Sequence, residues 1–161
     1  NAAQHIIRTF KSNNDTERAW AAFGLDLSLP ESWRLAEVDP LPAMQRLVFE
    51  STREETVSVY RFGMVPVILK GEDLPTFFAR MKGRRYRMVK TGQFEKDGCP
   101  GVTLSYETRG KTGGLMSLLA RTWQGRVWIW RCDRIKRIFA VDQHARPDRL
   151  IDQLQERLRC R

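Results

Sequence analysis

The sequence lacks the residue sets that most often betray a reaction. It holds two histidines, His5 and His144, and three cysteines, Cys99, Cys132 and Cys160, with no Cys-x-x-Cys pair. Their spacing matches none of the usual zinc sets. An odd number of widely separated cysteines supplies no disulfide framework. It fits a reducing compartment such as the cytoplasm, with at most one bridge and thiols that are otherwise buried or idle. The longest apolar runs, Val65–Leu69 and Leu115–Ala120 with Ser117 inside it, fall far short of the ~20 residues that span a bilayer. No charged, apolar and small-residue succession at the start reads as a secretory signal. Internal repeats and low-complexity linkers are absent.

What is present describes one folded domain over residues 1–161, with residues 1–11 as a loosely ordered lead-in. Hydrophobic residues make up 42% and charged residues 29%, enough of each for a buried core and a solvated surface. The net charge of +9 is uneven. Residues 1–60 carry six Lys/Arg against nine Asp/Glu, whereas residues 61–161 carry 22 against 10. A basic half of this kind suits an anionic partner. Arginine supplies 21 of the 28 basic residues, which also fits an ordinary solvated surface.

Periodicity gives the elements. Ser12 and Asp15 precede a segment, Thr16 to Phe23, that reads as a helix stopped by Gly24. Leu25, Leu27 and Leu29 alternate with polar residues as in a half-buried strand, and a short strand carrying Trp33, Leu35 and Val38 follows. Gln45–Glu50 and Val57–Phe62 form a hairpin. Leu74, Phe77, Phe78 and Met81 make one helical stripe, with Asp73 at its start and Gly83 at its end. Met88–Lys96 and Cys99–Thr108 flank Asp97-Gly98, a pair favoured in two-residue hairpin turns. Leu115–Thr122 reads as a short helix or an apolar flap. Arg126–Cys132 and Arg137–Asp142 are strands, with Trp128, Trp130 and Cys132 on one face as core residues. Pro147 opens a last helix with Leu150, Ile151, Leu154 and Leu158 as its stripe. Short turns between neighbouring strands require a largely antiparallel sheet. The expected fold is therefore α+β, with a single central, largely antiparallel sheet flanked by helices as an α/β/α sandwich.

Three stretches bear on function. Gly110-Lys111-Thr112 spells the end of a phosphate-binding loop, but Ser105 stands where the first glycine of that loop belongs. The strand before it belongs to a hairpin, whereas a phosphate loop leaves a parallel strand and enters a helix. No cofactor is expected. The run from Arg80 to Lys90 holds six basic residues and no acid: Arg80, Lys82, Arg84, Arg85, Arg87 and Lys90. Arg109, Lys111 and Arg121 add to it around a Gly-rich loop. Basic residues beside Trp123, Trp128 and Trp130 could also serve a nucleic acid, although no RNP-type or helix-turn-helix motif occurs.

The order of "LDLSLPESWRL", "RLVFE" and "VSVYRF", followed by a helix, more strands and a closing amphipathic helix, resembles the PsbP-like and Mog-type α/β/α sandwich proteins. The resemblance spans about Leu25 to Cys160, and the insertion around Gly110–Thr122 departs from it. It implies an accessory, partner-binding role and transfers no site residues. The leading expectation is a non-enzymatic interaction domain whose basic surface meets an acidic or anionic partner, most simply another protein. The alternatives are direct binding of nucleic acid or another polyanion, and an enzyme with a site assembled in space from Cys99, Cys132 or His144.

Overall fold

In the computed structural model, the described residues are 8–10, 17–83, 86–108, 123–146, 151 and 154–160. They form eleven strands: β1 (Arg8–Phe10), β2 (Glu17–Ala22), β3 (Leu25–Pro30), β4 (Arg34–Pro40), β5 (Met44–Glu50), β6 (Thr56–Phe62), β7 (Tyr86–Lys96), β8 (Cys99–Thr108), β9 (Gln124–Cys132), β10 (Arg137–Ala145) and β11 (Leu158–Cys160). Helices α1 (Val65–Leu69) and α2 (Leu74–Lys82) lie between β6 and β7, and a 3-10 turn covers Leu154–Arg157. Neither helix is long and apolar enough to cross a membrane.

The strands make two antiparallel sheets. The larger runs β4-β5-β6-β10-β9-β8-β7, and the smaller β1-β2-β3-β11. This is an α+β fold, but the expected single sheet is two. Alternation along the large sheet explains why both of its faces are apolar. Val127 and Ile129 of β9 point to one side, and Trp128, Trp130 and Cys132 to the other, all buried. Ile138 and Ala140 of β10 divide from Phe139 and Val141 in the same way. One face is covered by Phe77 and Phe78 of α2 and Val65 and Leu69 of α1. The other is covered by the small sheet, through Trp20, Leu25, Leu27 and Leu29. Trp20 meets Phe49 of the large sheet edge-on at 5.3 Å. Among the described residues, helices therefore cover one face and a sheet covers the other.

Two expected helices are corrected. Residues 17–22 are strand β2, paired with β3 from Glu17↔Pro30 to Ala22↔Leu25. Phe23 and Gly24, at φ 54° and 74°, form the two-residue turn between them, so Gly24 serves a hairpin and not a helix end. At the other end, Leu154 and Leu158 are fully buried as the stripe required. They lie on the 3-10 turn and on β11, which pairs with β3 through Leu158↔Leu27. Gln143, buried on β10, accepts a hydrogen bond from the Ile151 backbone N–H at 3.0 Å and holds this segment down. Helix α1 was not foreseen from its apolar run. The expected elements over Leu115–Thr122 and at Pro147 lie outside the described residues.

Residues 8–10 of the expected lead-in form strand β1, paired with β2 from Arg8↔Ala21 to Phe10↔Ala19, whereas the expectations for α2 and the Asp97-Gly98 hairpin agree with the structure. α2 starts at Asp73, whose carboxylate accepts from the Thr76 N–H at 2.9 Å, and ends at Gly83 with φ 78°. Asp97 and Gly98, at φ 52° and 75°, make the β7–β8 turn.

Candidate functional site

β7 is one of the two edge strands of the large sheet, opposite β4, and with 11 residues its longest. It pairs with β8 along its inner side, with an irregularity between Met88 and Lys90. Tyr86 and Met88 turn inward against the helix-side core, while Arg87, Val89, Lys90, Thr91, Gly92 and Gln93 are exposed. Val89 retains 58% of its surface. No strand among the described residues pairs with the outer edge of β7. Beside its middle lies an open groove of about 690 Å³ against the start of α2, lined by Leu74, Pro75, Thr91 and Gln93, with Arg131 and the carboxylates of Glu72 and Asp73 as its charged groups.

The candidate basic residues part company on this framework. Arg87 and Lys90 are exposed on β7, Arg87 opposite Glu107 of β8. Arg80 is engaged within its own helical corner. Its Nε donates to Glu72 at 2.9 Å, its Nη2 donates to the Ile68 carbonyl at 2.9 Å, and the guanidinium lies over Phe77. Lys82 is 15% exposed and forms an ion pair with Asp142 of β10. Arg84, Arg85, Arg109, Lys111 and Arg121 lie outside the described residues.

Lys82 belongs to a buried polar cluster that a search for exposed charge overlooks. Its ammonium sits over the rings of Phe78, Tyr86 and Tyr106 at 5.1–5.6 Å. Asp142, 3% exposed, accepts a hydrogen bond from the Tyr106 hydroxyl at 2.6 Å. Burial pushes the Lys82 pKa down, but the Asp142 carboxylate together with Tyr60 and Tyr86 more than offsets this and holds it above the ordinary lysine value. Burial and the same carboxylate push the hydroxyls of Tyr60 and Tyr106 up. His144 stacks between Tyr106 and Trp123, and its buried Nε2 meets no hydrogen-bond partner among the described residues. Desolvation and, to a lesser degree, Lys82 lower its pKa, against a contribution from Asp142 that raises it. One signal for this cluster was on view in the sequence. Asp142 interrupts the apolar run Ile138–Val141 of a strand that is buried on both faces. A carboxylate there needs a cation, and the last turn of α2 delivers one.

Of the candidates for an enzyme site, Cys99, Cys132 or His144, the geometry keeps Cys132 and His144 apart. Cys132 ends β9 opposite Arg137, whereas His144 lies opposite Gly125 at the far end of the same strand pair. Seven residues of strand separate them, roughly 23 Å, and they occupy opposite faces. The two thiols do come together: Cys99 starts β8 and Cys132 ends β9, and their side chains interact. Among the described residues, no group of three or more His, Cys, Asp or Glu is placed to hold a metal ion. β8 is antiparallel to both its neighbours, which is not the strand setting of a phosphate loop. Trp128 and Trp130 are 4% and 1% exposed, so they serve the core and are not surfaces for bases.

No family model matches this chain, and no curated protein matches it. Solved structures do. The solution structure of cyanobacterial PsbP from Synechocystis sp. PCC 6803 aligns with 97% of this chain and 93% of its own, at a TM-score of 0.55 and 15% identity. The chain is similar in fold to PsbP and to Mog1. The crystal structure of the Saccharomyces cerevisiae Ran-binding protein Mog1p aligns with 87% of this chain and 77% of its own, at a TM-score of 0.51 and 11% identity. A point mutant of Mog1 aligns with 91% of this chain and 79% of its own, at a TM-score of 0.51 and 11% identity. At these identities the likeness to PsbP and Mog1 is one of fold.

Proposed function

We propose that this chain is a non-enzymatic interaction domain that receives an acidic protein partner along the outer edge of β7. The observation that carries the reading is the edge itself, eleven residues long, exposed through its middle and bearing Arg87 and Lys90. An unpaired strand edge offers backbone donors and acceptors to an extended peptide, and a neighbouring groove can take one of its side chains. The groove between β7 and the start of α2 stands where such a side chain would enter. Arg84, Arg85, Arg109, Lys111 and Arg121 are candidate contacts for the same partner on their sequence alone. Arg80 and Lys82 support it from inside, the first by fixing the α1–α2 corner and the second by anchoring the end of α2 to β10. The fold is shared with Mog1p, whose description as a Ran-binding protein is in keeping with a partner-binding role.

The test is a photo-crosslinking residue at Val89 in the full chain, expressed in its own cell. The expected result is one protein adduct, lost when Arg87→Glu and Lys90→Glu are combined and weakened by Lys111→Glu. An adduct indifferent to all three reversals would move the interface off this surface. Salt-sensitive retention on DNA that depends on Arg87 and Lys90, with no protein adduct, would instead carry the polyanion reading.

A further inference from the structure

We propose that Cys99 and Cys132 form a peroxide-reactive dithiol that closes to a cross-strand disulfide. The register places them. The β8–β9 ladder ends with Gly101 opposite Trp130; the same register carried two residues further sets Cys99 against Cys132, and the two side chains interact. Facing residues on antiparallel strands have Cα atoms about 4.5 or 5.5 Å apart, inside the range of about 4.4–6.8 Å that a disulfide bridges. Both residues stand at strand ends. Cys99 follows the Asp97-Gly98 turn, and Cys132 precedes the Asp133–Lys136 turn. The small adjustment needed to bring the sulfurs to bonding distance falls on two turns and not on the middle of the sheet.

The surroundings divide the roles. Cys132 is 7% exposed, and the Cys99 thiol, the backbone N–H groups of Ile135 and Arg134 and the Arg134 charge all favour its thiolate. Burial acts against its thiolate, but these donors outweigh it and hold the pKa below the ordinary cysteine value. Cys99 is half-buried, and its sulfur has the Asp97 carbonyl oxygen within 3.9 Å as a further acceptor. Burial and the neighbouring sulfur push it up to about 11, so it stays a thiol at neutral pH.

The chemistry balances with a hydroperoxide as the oxidant. The Cys132 thiolate attacks one oxygen of hydrogen peroxide, the O–O bond breaks, and hydroxide leaves. Cys132 is then a sulfenic acid. The Cys99 sulfur attacks the Cys132 sulfur, the S–O bond breaks, and water leaves with the Cys99 proton. The two sulfurs lose two electrons in total, and the peroxide gains them.

The assay uses the full chain with Cys160→Ser, which removes the third thiol from the readout. Treated with one equivalent of hydrogen peroxide at neutral pH, the folded protein should lose both thiols together. Its mass should fall by two hydrogens, a peptide map should show Cys99 joined to Cys132, and dithiothreitol should restore both thiols. The pairing should be faster than in the same chain unfolded in urea. A mass gain from oxygen on one cysteine with the other thiol still titratable would overturn the proposal. So would two thiols that persist as long as in the unfolded chain. In the Cys99→Ser, Cys160→Ser chain, Cys132 should stop at the sulfenic acid and take a dimedone label; an unlabelled Cys132 would overturn its assignment as the attacking thiol.

Discussion

Two residues carry more than their size implies. Gly125 sits opposite Tyr106 in the β8–β9 pairing, and a methyl group added to it would overlap the Tyr106 ring. That ring must lie flat over the strand for its hydroxyl to reach Asp142 at 2.6 Å. Gly125→Ala should therefore destabilise the fold by about 1–3 kcal/mol, the cost of overpacking a filled core. Urea denaturation would measure the loss, and near-ultraviolet circular dichroism would report the displaced tyrosine. His144 makes a prediction about pH. Its folded pKa lies below the ordinary value of 6.5, because burial and the Lys82 ammonium disfavour its charged form while Asp142 opposes them only in part. The unfolded chain therefore binds the histidine proton more readily than the folded chain does. Stability should be full above the unfolded pKa and fall as pH drops from there toward the folded pKa. His144→Gln should flatten that part of the stability–pH curve below neutral pH. A curve of unchanged slope would show that Asp142 cancels the desolvation.

At the scale of elements, α2 is fixed at both ends, by Asp73 at its start and by the Lys82–Asp142 pair at its finish. Removing the lysine leaves a buried carboxylate without its cation, still accepting from the Tyr106 hydroxyl. Lys82→Met should cost about 3–5 kcal/mol, and adding Asp142→Asn should recover part of that loss. Chemical denaturation of the two variants separates the charge effect from lost packing, because only the former is rescued. α2 was legible because its stripe, cap and stop all agree with one local structure, and the Asp97-Gly98 hairpin was legible for the same reason. β2 was not. Its caps suit a helix, but Trp20 and Ala22 gain more by alternating against Phe49 and the small sheet than a short isolated helix could provide. The stripe at Leu154 and Leu158 was read correctly as buried and wrongly as helical, since spacing along one segment does not reveal that β3 has an open edge to fill. The same limit governs the site. Exposed charge on β7 follows from local composition, whereas the contacts of Lys82 with Asp142, and of Cys99 with Cys132, join residues 60 and 33 positions apart. Sheet registers create those contacts.

For the whole molecule, the decisive feature is that one sheet supplies both cores. β5, β6, β9 and β10 each send alternate side chains to opposite sides, so the helix-side core and the sheet-side core share their backbone. Neither core can melt while the other keeps its strands in register, because a lost ladder removes the scaffold of both faces. Four of the five tryptophans, Trp20, Trp33, Trp128 and Trp130, lie in the sheet-side core, and Trp123 stacks on His144 on the other side. In a Trp123→Phe background, tryptophan fluorescence thus reports the sheet-side core alone. Phe78, fully buried under α2, belongs to the opposite core. Phe78→Ala should cost about 3–5 kcal/mol as a large-to-small substitution. The fluorescence midpoint in urea should shift down with it, by the same amount as the far-ultraviolet circular dichroism midpoint. A fluorescence transition that stayed in place while the dichroism moved would mean that the two cores unfold separately. The shared sheet would then be a weaker coupling than its alternation requires.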